Sequence, residues 1–324
     1  MEITSANPVA FIFPGQGSQA LGMGLELANR FEIARQTYQE ADDLLGMEIS
    51  ELSWSGPEDQ LNDTVNTQPA LMSHSIAALR VLLASLPGIR PSLIAGHSMG
   101  ELSALVAAGA LPFQEALKLV QIRGQVMKKA GEISPGGMAA IIGLDISSLD
   151  GVCAKASQAS GEIVQVANDN CPGQVVISGG RKGLEQALHF AQQAGARRVV
   201  PLAVSIAAHS PYMETAQLEF NRAVQAAPFV DPDAPLVGNV RAEILTTADH
   251  LRLDLQDQLT HRVRWTESIQ HMVNKGVRLF IEIGSGTVLA GLIKRIDPTV
   301  ESFSVGNPAD IEKIQAVLSK YAFE

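Results

Sequence analysis

The stretch Ile94-Ala95-Gly96-His97-Ser98-Met99-Gly100-Glu101-Leu102 constrains this chain more than any other: a short apolar run, then G-x-S-x-G, then an Ala-rich run. A strand ending near Ala95, a sharp turn at Ser98 and a helix from about Glu101 form a nucleophile elbow, which lifts a serine hydroxyl clear of a sheet. Gly96 and Gly100 suit such a turn, because a side chain at either position would collide with the neighbouring strand or helix. The backbone amide of Met99, at the start of the helix, is then placed to meet an oxyanion forming on a carbonyl attacked by Ser98. G-x-S-x-G alone arises by chance; its strand-turn-helix setting is what gives it meaning.

The elements around the elbow extend the pattern. Pro8–Phe13 reads as a buried strand closed by Pro14-Gly15, and the loop Gly15-Gln16-Gly17-Ser18-Gln19 follows it with two glycines and two amide side chains. That loop lacks the lysine and the glycine spacing of a phosphate cradle. Helices are expected over Leu21–Gly46, Thr64–Leu86 and Leu111–Met127, with the elbow strand between the last two, so the main sheet is parallel α/β. After Ser134-Pro135-Gly136-Gly137 the rhythm changes to β-α-β-β-α-β, the ferredoxin-like order, across about Gly136 to Leu202. The expected architecture is a large α/β-hydrolase-like domain, residues 1–135 and 203–324, with a ferredoxin-like small domain, 136–202, inserted. In the returning part, Leu236–Val240 reads as a strand, Leu251–Met272 as largely helical, Leu279–Ile283 and Ser302–Val305 as strands, and Ala309–Tyr321 as a closing helix.

A serine nucleophile needs a base, and seven histidines compete for the role. His97 adjoins Ser98 but points elsewhere around a tight turn. His74, His189, His250 and His271 lie in or beside helices and read as surface or structural residues, while Arg262 beside His261 opposes protonation of that ring. His209 sits in the loop where the chain re-enters the large domain, before Pro211 and a helix, which makes it a candidate. The pairing is spatial, so spacing alone does not choose it. Arg123, taken by itself, reads as a solvated helix arginine.

The net charge of −10 gives no basic footprint for nucleic acid or an anionic membrane. Met1–Ala10 has no leader-like pattern, and no apolar run is long enough to span a bilayer, so a cytoplasmic protein is expected. Cys153 and Cys171 make neither a disulfide framework nor a metal-ligand spacing.

Taken in order, Phe13-Pro14-Gly15-Gln16-Gly17-Ser18-Gln19, Gly96–Glu101, Gln121-Ile122-Arg123-Gly124, His209-Ser210-Pro211, Val263-Arg264-Trp265 and Glu282-Ile283-Gly284 resemble the malonyl-CoA:acyl carrier protein transacylases over nearly the whole chain. The resemblance implies Ser98 as nucleophile, His209 as base, the amides of Gln16 and Met99 as oxyanion hole, and Arg123 as clamp for the malonyl carboxylate. It also implies a backbone carbonyl around Thr260–Val263 to orient the histidine in place of an acidic residue. Malonyl-CoA and an acyl carrier protein with its phosphopantetheine thiol become the expected partners, with no cofactor, no metal and a monomeric state. One position departs from the pattern: malonyl-selective members commonly carry Phe before the catalytic histidine, where this chain has Ala208. Room for methylmalonyl or larger acyl groups follows, unless a neighbour such as Met99 fills it. The competing readings are a serine acyl hydrolase or thioesterase using the same pair, and a non-catalytic carrier-docking module.

Overall fold

A computed structural model describes residues 8–321, apart from the side chains of 319–321, and gives a mixed α/β structure built on two sheets. The leader reading rests partly on residues 1–7, which lie outside the described residues. Among the described residues ten strands follow one another: β1 Val9–Phe13, β2 Leu93–Gly96, β3 Gly136–Ile142, β4 Val164–Cys171, β5 Gln174–Gly180, β6 Arg198–Pro201, β7 Leu236–Val237, β8 Ile244–Leu245, β9 Leu279–Ile283 and β10 Glu301–Val305. The larger sheet has the order β10-β9-β1-β2-β7-β8, parallel except for the terminal β7–β8 pair. β1, β2 and β9 are buried at every residue, as expected of central parallel strands covered by helices on both faces. In the register of β1 against β2, Phe13 lies opposite Gly96, which puts the loop after β1 beside the elbow.

The smaller sheet is antiparallel with the order β4-β5-β3-β6, and its helices Ile146–Ser160 and Arg181–Gln193 close a separate apolar core around Ile141, Leu149 and Ile177. Its edge strand β4 is tied to the larger unit. Val263 N–H donates to the carbonyl of Ala167 at 2.8 Å, and Asp169 N–H to that of Val263 at 3.0 Å.

Several expected elements change shape for physical reasons. Leu21–Gly46 is two helices, Leu25–Arg30 and Glu32–Leu45, because Phe31 between them is extended. Leu111–Met127 runs instead as Phe113–Ile133. Leu236–Val240 shortens to β7, since Gly238 and Asn239 leave the ladder with β2. Leu251–Met272 is interrupted: helices Ala248–Gln258 and Trp265–Asn274 flank a non-helical stretch. Hydrophobic periodicity continues through that gap, but the backbone there is held by β4 rather than by its own helix.

Candidate active site

Ser98 sits at the tip of the elbow with φ of 53°, a left-handed conformation that costs a non-glycine residue about 1–2 kcal/mol. Two close approaches enforce the turn. A Cβ at Gly96 would lie 2.1 Å from the Gly100 carbonyl carbon, and one at Gly100 would lie 2.2 Å from the Phe13 carbonyl oxygen. The strained residue is held by Asn239, whose Oδ1 accepts the Ser98 N–H at 2.8 Å while its Nδ2 donates to the Gly96 carbonyl at 2.7 Å. Arg264 fixes Asn239 in turn, donating its backbone N–H to the Asn239 carbonyl at 2.9 Å.

Ser98 Oγ lies 2.8 Å from His209 Nε2. His209 Nδ1 is 2.9 Å from the carbonyl oxygen of Gln258 and 3.2 Å from that of His261. Both carbonyls only accept, so Nδ1 carries the proton and Nε2 presents a lone pair to the serine. The orienting carbonyls come from the last residue of the helix Ala248–Gln258 and from the break that follows it, the first lying just outside the expected span Thr260–Val263. Gln165 of β4 stiffens the arrangement, donating to the His209 carbonyl at 2.8 Å.

Arg123 corrects the bland expectation of a solvated residue: it is only 2% exposed. It reaches the elbow because Gly124 lets the helix Phe113–Ile133 cross the helix Thr64–Ser85 closely; a Cβ there would meet the Thr64 carbonyl oxygen at 2.9 Å. Its Nη1 donates to Gln68 Oε1 at 2.8 Å, and its Nη2 to Ser98 Oγ at 3.0 Å and Gln258 Oε1 at 2.9 Å. The buried Nε–H has no acceptor among the described residues. Burial lowers the guanidinium to about 10, still far enough above neutrality for it to stay charged. Every group that touches it directly is neutral: two amides and a hydroxyl.

Ser98, His209 and Arg123 line one cleft of about 540 Å³, together with Gln16, His97, Met127, Met138 and Ala208. Gln16 Oε1 accepts from Thr64 Oγ1 at 2.9 Å, and its loop is braced by Ser285, whose hydroxyl donates to the Ser18 carbonyl at 2.7 Å. The Met99 side chain is buried beneath the elbow and is not among the cleft-lining residues, so the space beside Ala208 is not filled by it. His97 turns to Asn170, with Nε2 2.8 Å from Oδ1, and packs edge-on against Trp265. His74 is buried, its Nδ1 3.1 Å from the Tyr38 hydroxyl. Asn239, Gln68 and Gln258 were not anticipated; a buried amide in an apolar strand run (Asn239) or helix face (Gln68, Gln258) was the available signal.

Burial, reinforced by the Arg123 charge, pushes His209 down to about 3; burial pushes His74 down to about 4. Unfolded, both titrate near 6.5. Below that pH the unfolded chain binds protons that the folded protein refuses. This stability is therefore complete above about pH 6.5 and is lost as pH falls toward 4 and 3, at roughly 3 kcal/mol per histidine by pH 4. Urea midpoints measured from pH 7 to 4 should fall steadily, and replacing His74 with Gln should flatten the curve.

Residues 10–311 match the family model described as the acyl transferase domain. A malonyl CoA-acyl carrier protein transacylase of Bacillus subtilis is 43% identical over 304 residues, covering 94% of this chain and 95% of that relative. The solved malonyl CoA-acyl carrier protein transacylase of Coxiella burnetii superimposes with a TM-score of 0.92 at 38% identity, over 95% of this chain and 97% of that one. A malonyl-transacylase solved in complex with a type II PKS acyl-carrier protein gives 0.90 at 42% identity, over 95% and 98%. The chain is thus an acyl transferase by domain class, and it belongs to the malonyl CoA-acyl carrier protein transacylase family.

Proposed function

We propose that this protein moves a malonyl group from malonyl-CoA to the phosphopantetheine thiol of an acyl carrier protein through a malonyl ester on Ser98. The observation that carries the reading is the position of Ser98 Oγ, 2.8 Å from a neutral imidazole nitrogen and 3.0 Å from a buried guanidinium. His209 Nε2 takes the hydroxyl proton as Oγ attacks the thioester carbon. The proton then goes to the departing CoA sulfur. In the second half-reaction His209 takes the proton of the carrier thiol, the sulfur attacks the ester, and Ser98 recovers its proton. The amides of Gln16 and Met99, neither of which donates to a described acceptor, serve as the oxyanion hole.

The malonyl carboxylate is only two bonds from the reacting carbonyl carbon. A clamp for it must therefore sit within a few ångströms of the nucleophile, as Arg123 does. Its free Nε–H, with the Nη2 proton that serves Ser98 Oγ until the substrate takes it, offers the paired donors that a carboxylate accepts. The same pairing cancels the charge that depresses His209, so substrate binding makes the imidazole a stronger base.

We read the unit 136–202 as a ferredoxin-like domain inserted into an α/β-hydrolase-like one, on the order of its elements and the β4-β5-β3-β6 sheet. We further infer a cytoplasmic monomer that calls on no metal or cofactor, since Ser98 and His209 supply the nucleophile and base. Among the described residues no helix is long and apolar enough to cross a membrane.

Intact-protein mass spectrometry tests the function. Malonyl-CoA should add one malonyl group, which holo carrier protein then removes; discharge to water at the same rate without the carrier would make the protein a hydrolase. Ala208 shares the lining of the cleft with the apolar Met127, Met138 and Ile206. A methyl branch on the acyl group is accommodated there, and Ala208→Phe should raise the malonyl over methylmalonyl preference about 10-fold, the usual worth of one methyl in an apolar pocket. Competition between the two thioesters gives the ratio, and an unchanged ratio removes the specificity role of position 208.

A further inference from the structure

Two buried carboxyl groups lie under the elbow, and the transfer chemistry uses neither. Glu101, in the first turn of the elbow helix Gly100–Ala107, is 1% exposed, and Asp254, in the helix Ala248–Gln258, is 7% exposed. Gln258, one turn after Asp254 in the same helix, donates its side-chain amide to Glu101, which sets the two carboxyl groups side by side within each other's reach. Two carboxylates in contact out of water cannot both be ionised, so a proton lies between them. Their other partners decide where it sits. Asp254 accepts backbone N–H groups from Asn239 at 3.0 Å and Val240 at 3.4 Å, which favours its ionised form. Glu101 accepts only from the Gln258 side-chain amide.

Each carboxyl holds a different side of the elbow. Asp254 fixes the backbone of Asn239, whose side chain grips Ser98 N–H and the Gly96 carbonyl. Glu101 fixes the side-chain amide of Gln258, whose Nε2 also donates to the Ser98 carbonyl at 3.1 Å, whose Oε1 accepts from Arg123, and whose backbone carbonyl orients His209. Asp254 and Gln258 are four residues apart and so share one face of their helix.

We propose that Glu101 and Asp254 share a single proton, with Glu101 the acid and Asp254 the carboxylate, and act as a positioning pair that locks the nucleophile, the base and the arginine into one frame. A neutral Glu101 has a second consequence. Among the described residues Arg123 then has no anionic partner, so the charge that the proposed function assigns to the malonyl carboxylate stays available to it. Burial pushes both groups upward; the Asp254 charge pushes Glu101 further up, whereas the contact with Glu101 and the two backbone N–H groups hold Asp254 back; the other charges that reach them are those of Arg123 and of Asp257.

Infrared spectroscopy of the wild-type protein at neutral pH should show the carbonyl stretch of a protonated, buried carboxylic acid, shifted in D2O, and Glu101→Gln should remove it. The glutamine retains a donor toward Asp254 and an oxygen for Gln258, so its malonyl transfer should stay within about threefold of wild type, whereas Glu101→Ala should lose about 100-fold, mostly in kcat. A wild-type spectrum without that band overturns the shared proton, and a folded Glu101→Gln variant as impaired as Glu101→Ala overturns the positioning role. If Glu101→Ala does not fold, the infrared comparison and the transfer rate of Glu101→Gln decide. The inference rests on the transfer reading only for its kinetic arm. The band involves no substrate, while a wild-type protein that malonyl-CoA fails to label would sink the transfer reading and leave the band in place.

Discussion

Ser98→Ala is expected to abolish the malonyl adduct and to lower carrier-dependent transfer by at least about 10⁴-fold, since a covalent intermediate has no substitute once the attacking oxygen is gone. The loss comes without unfolding. Asn239 grips the backbone amide of residue 98 and the Gly96 carbonyl, not the hydroxyl, so the elbow survives in the alanine variant. Arg123 Nη2 retains Gln258 as a partner and His209 keeps its two carbonyls. The left-handed backbone at residue 98 adds a second arm. Ser98→Gly removes the strain of φ 53° and should raise stability by about 1 kcal/mol while being as inactive as the alanine variant. Intact mass after malonyl-CoA, with denaturant midpoints for the three proteins, checks both statements. A Ser98→Ala protein that still carries a malonyl group would move the nucleophile elsewhere. A glycine variant less stable than the serine protein would mean that the hydroxyl's contacts outweigh the strain.

Local rules made the elbow legible. Gly96 and Gly100 are required by contacts with residues a few positions away or on the adjacent strand β1, so the motif and its flanking apolar run carry nearly all the information. The order of helices and strands likewise indicated a parallel sheet, because a covered strand such as β1 has no room for polar residues. The partners of Ser98 were harder to read. His209 is 111 positions away and reaches the serine only because the chain returns from the small sheet at that point. Arg123 looks like any helix arginine until the crossing at Gly124 is known, and the ordered motifs, not periodicity, singled it out. The break after Gln258 escaped notice because its cause is a pairing of Val263 with β4, nearly 100 residues earlier. The same holds for Asn239 and Gln258, whose amides satisfy buried backbone groups that no local pattern announces.

Arg123→Ala should reduce kcat/KM for malonyl-CoA about 1000-fold and leave acetyl transfer within a fewfold of its original, slow rate. A carboxylate brought into a cleft without its cation loses water and receives nothing in return, a penalty of about 2–5 kcal/mol for a buried charge-assisted pair. An acetyl group has no charge to satisfy. Lys at 123 should recover only part of the loss, because a single ammonium cannot reproduce the planar contacts of the guanidinium with Gln68, Gln258 and Ser98. The substitution also acts on the base. The Arg123 charge is the second-largest cause, after burial, holding His209 down near 3, so its removal lets the imidazole titrate at higher pH. Residual acetyl transfer by the alanine variant should therefore fall off at a higher pH on the acid side than in wild type, where the neutral ring persists to lower pH. Measuring kcat/KM for both thioesters from pH 5 to 8 separates the two effects. Equal losses for malonyl and acetyl would remove the carboxylate clamp. An unmoved acid limb would show that Arg123 and His209 do not sense each other across the serine.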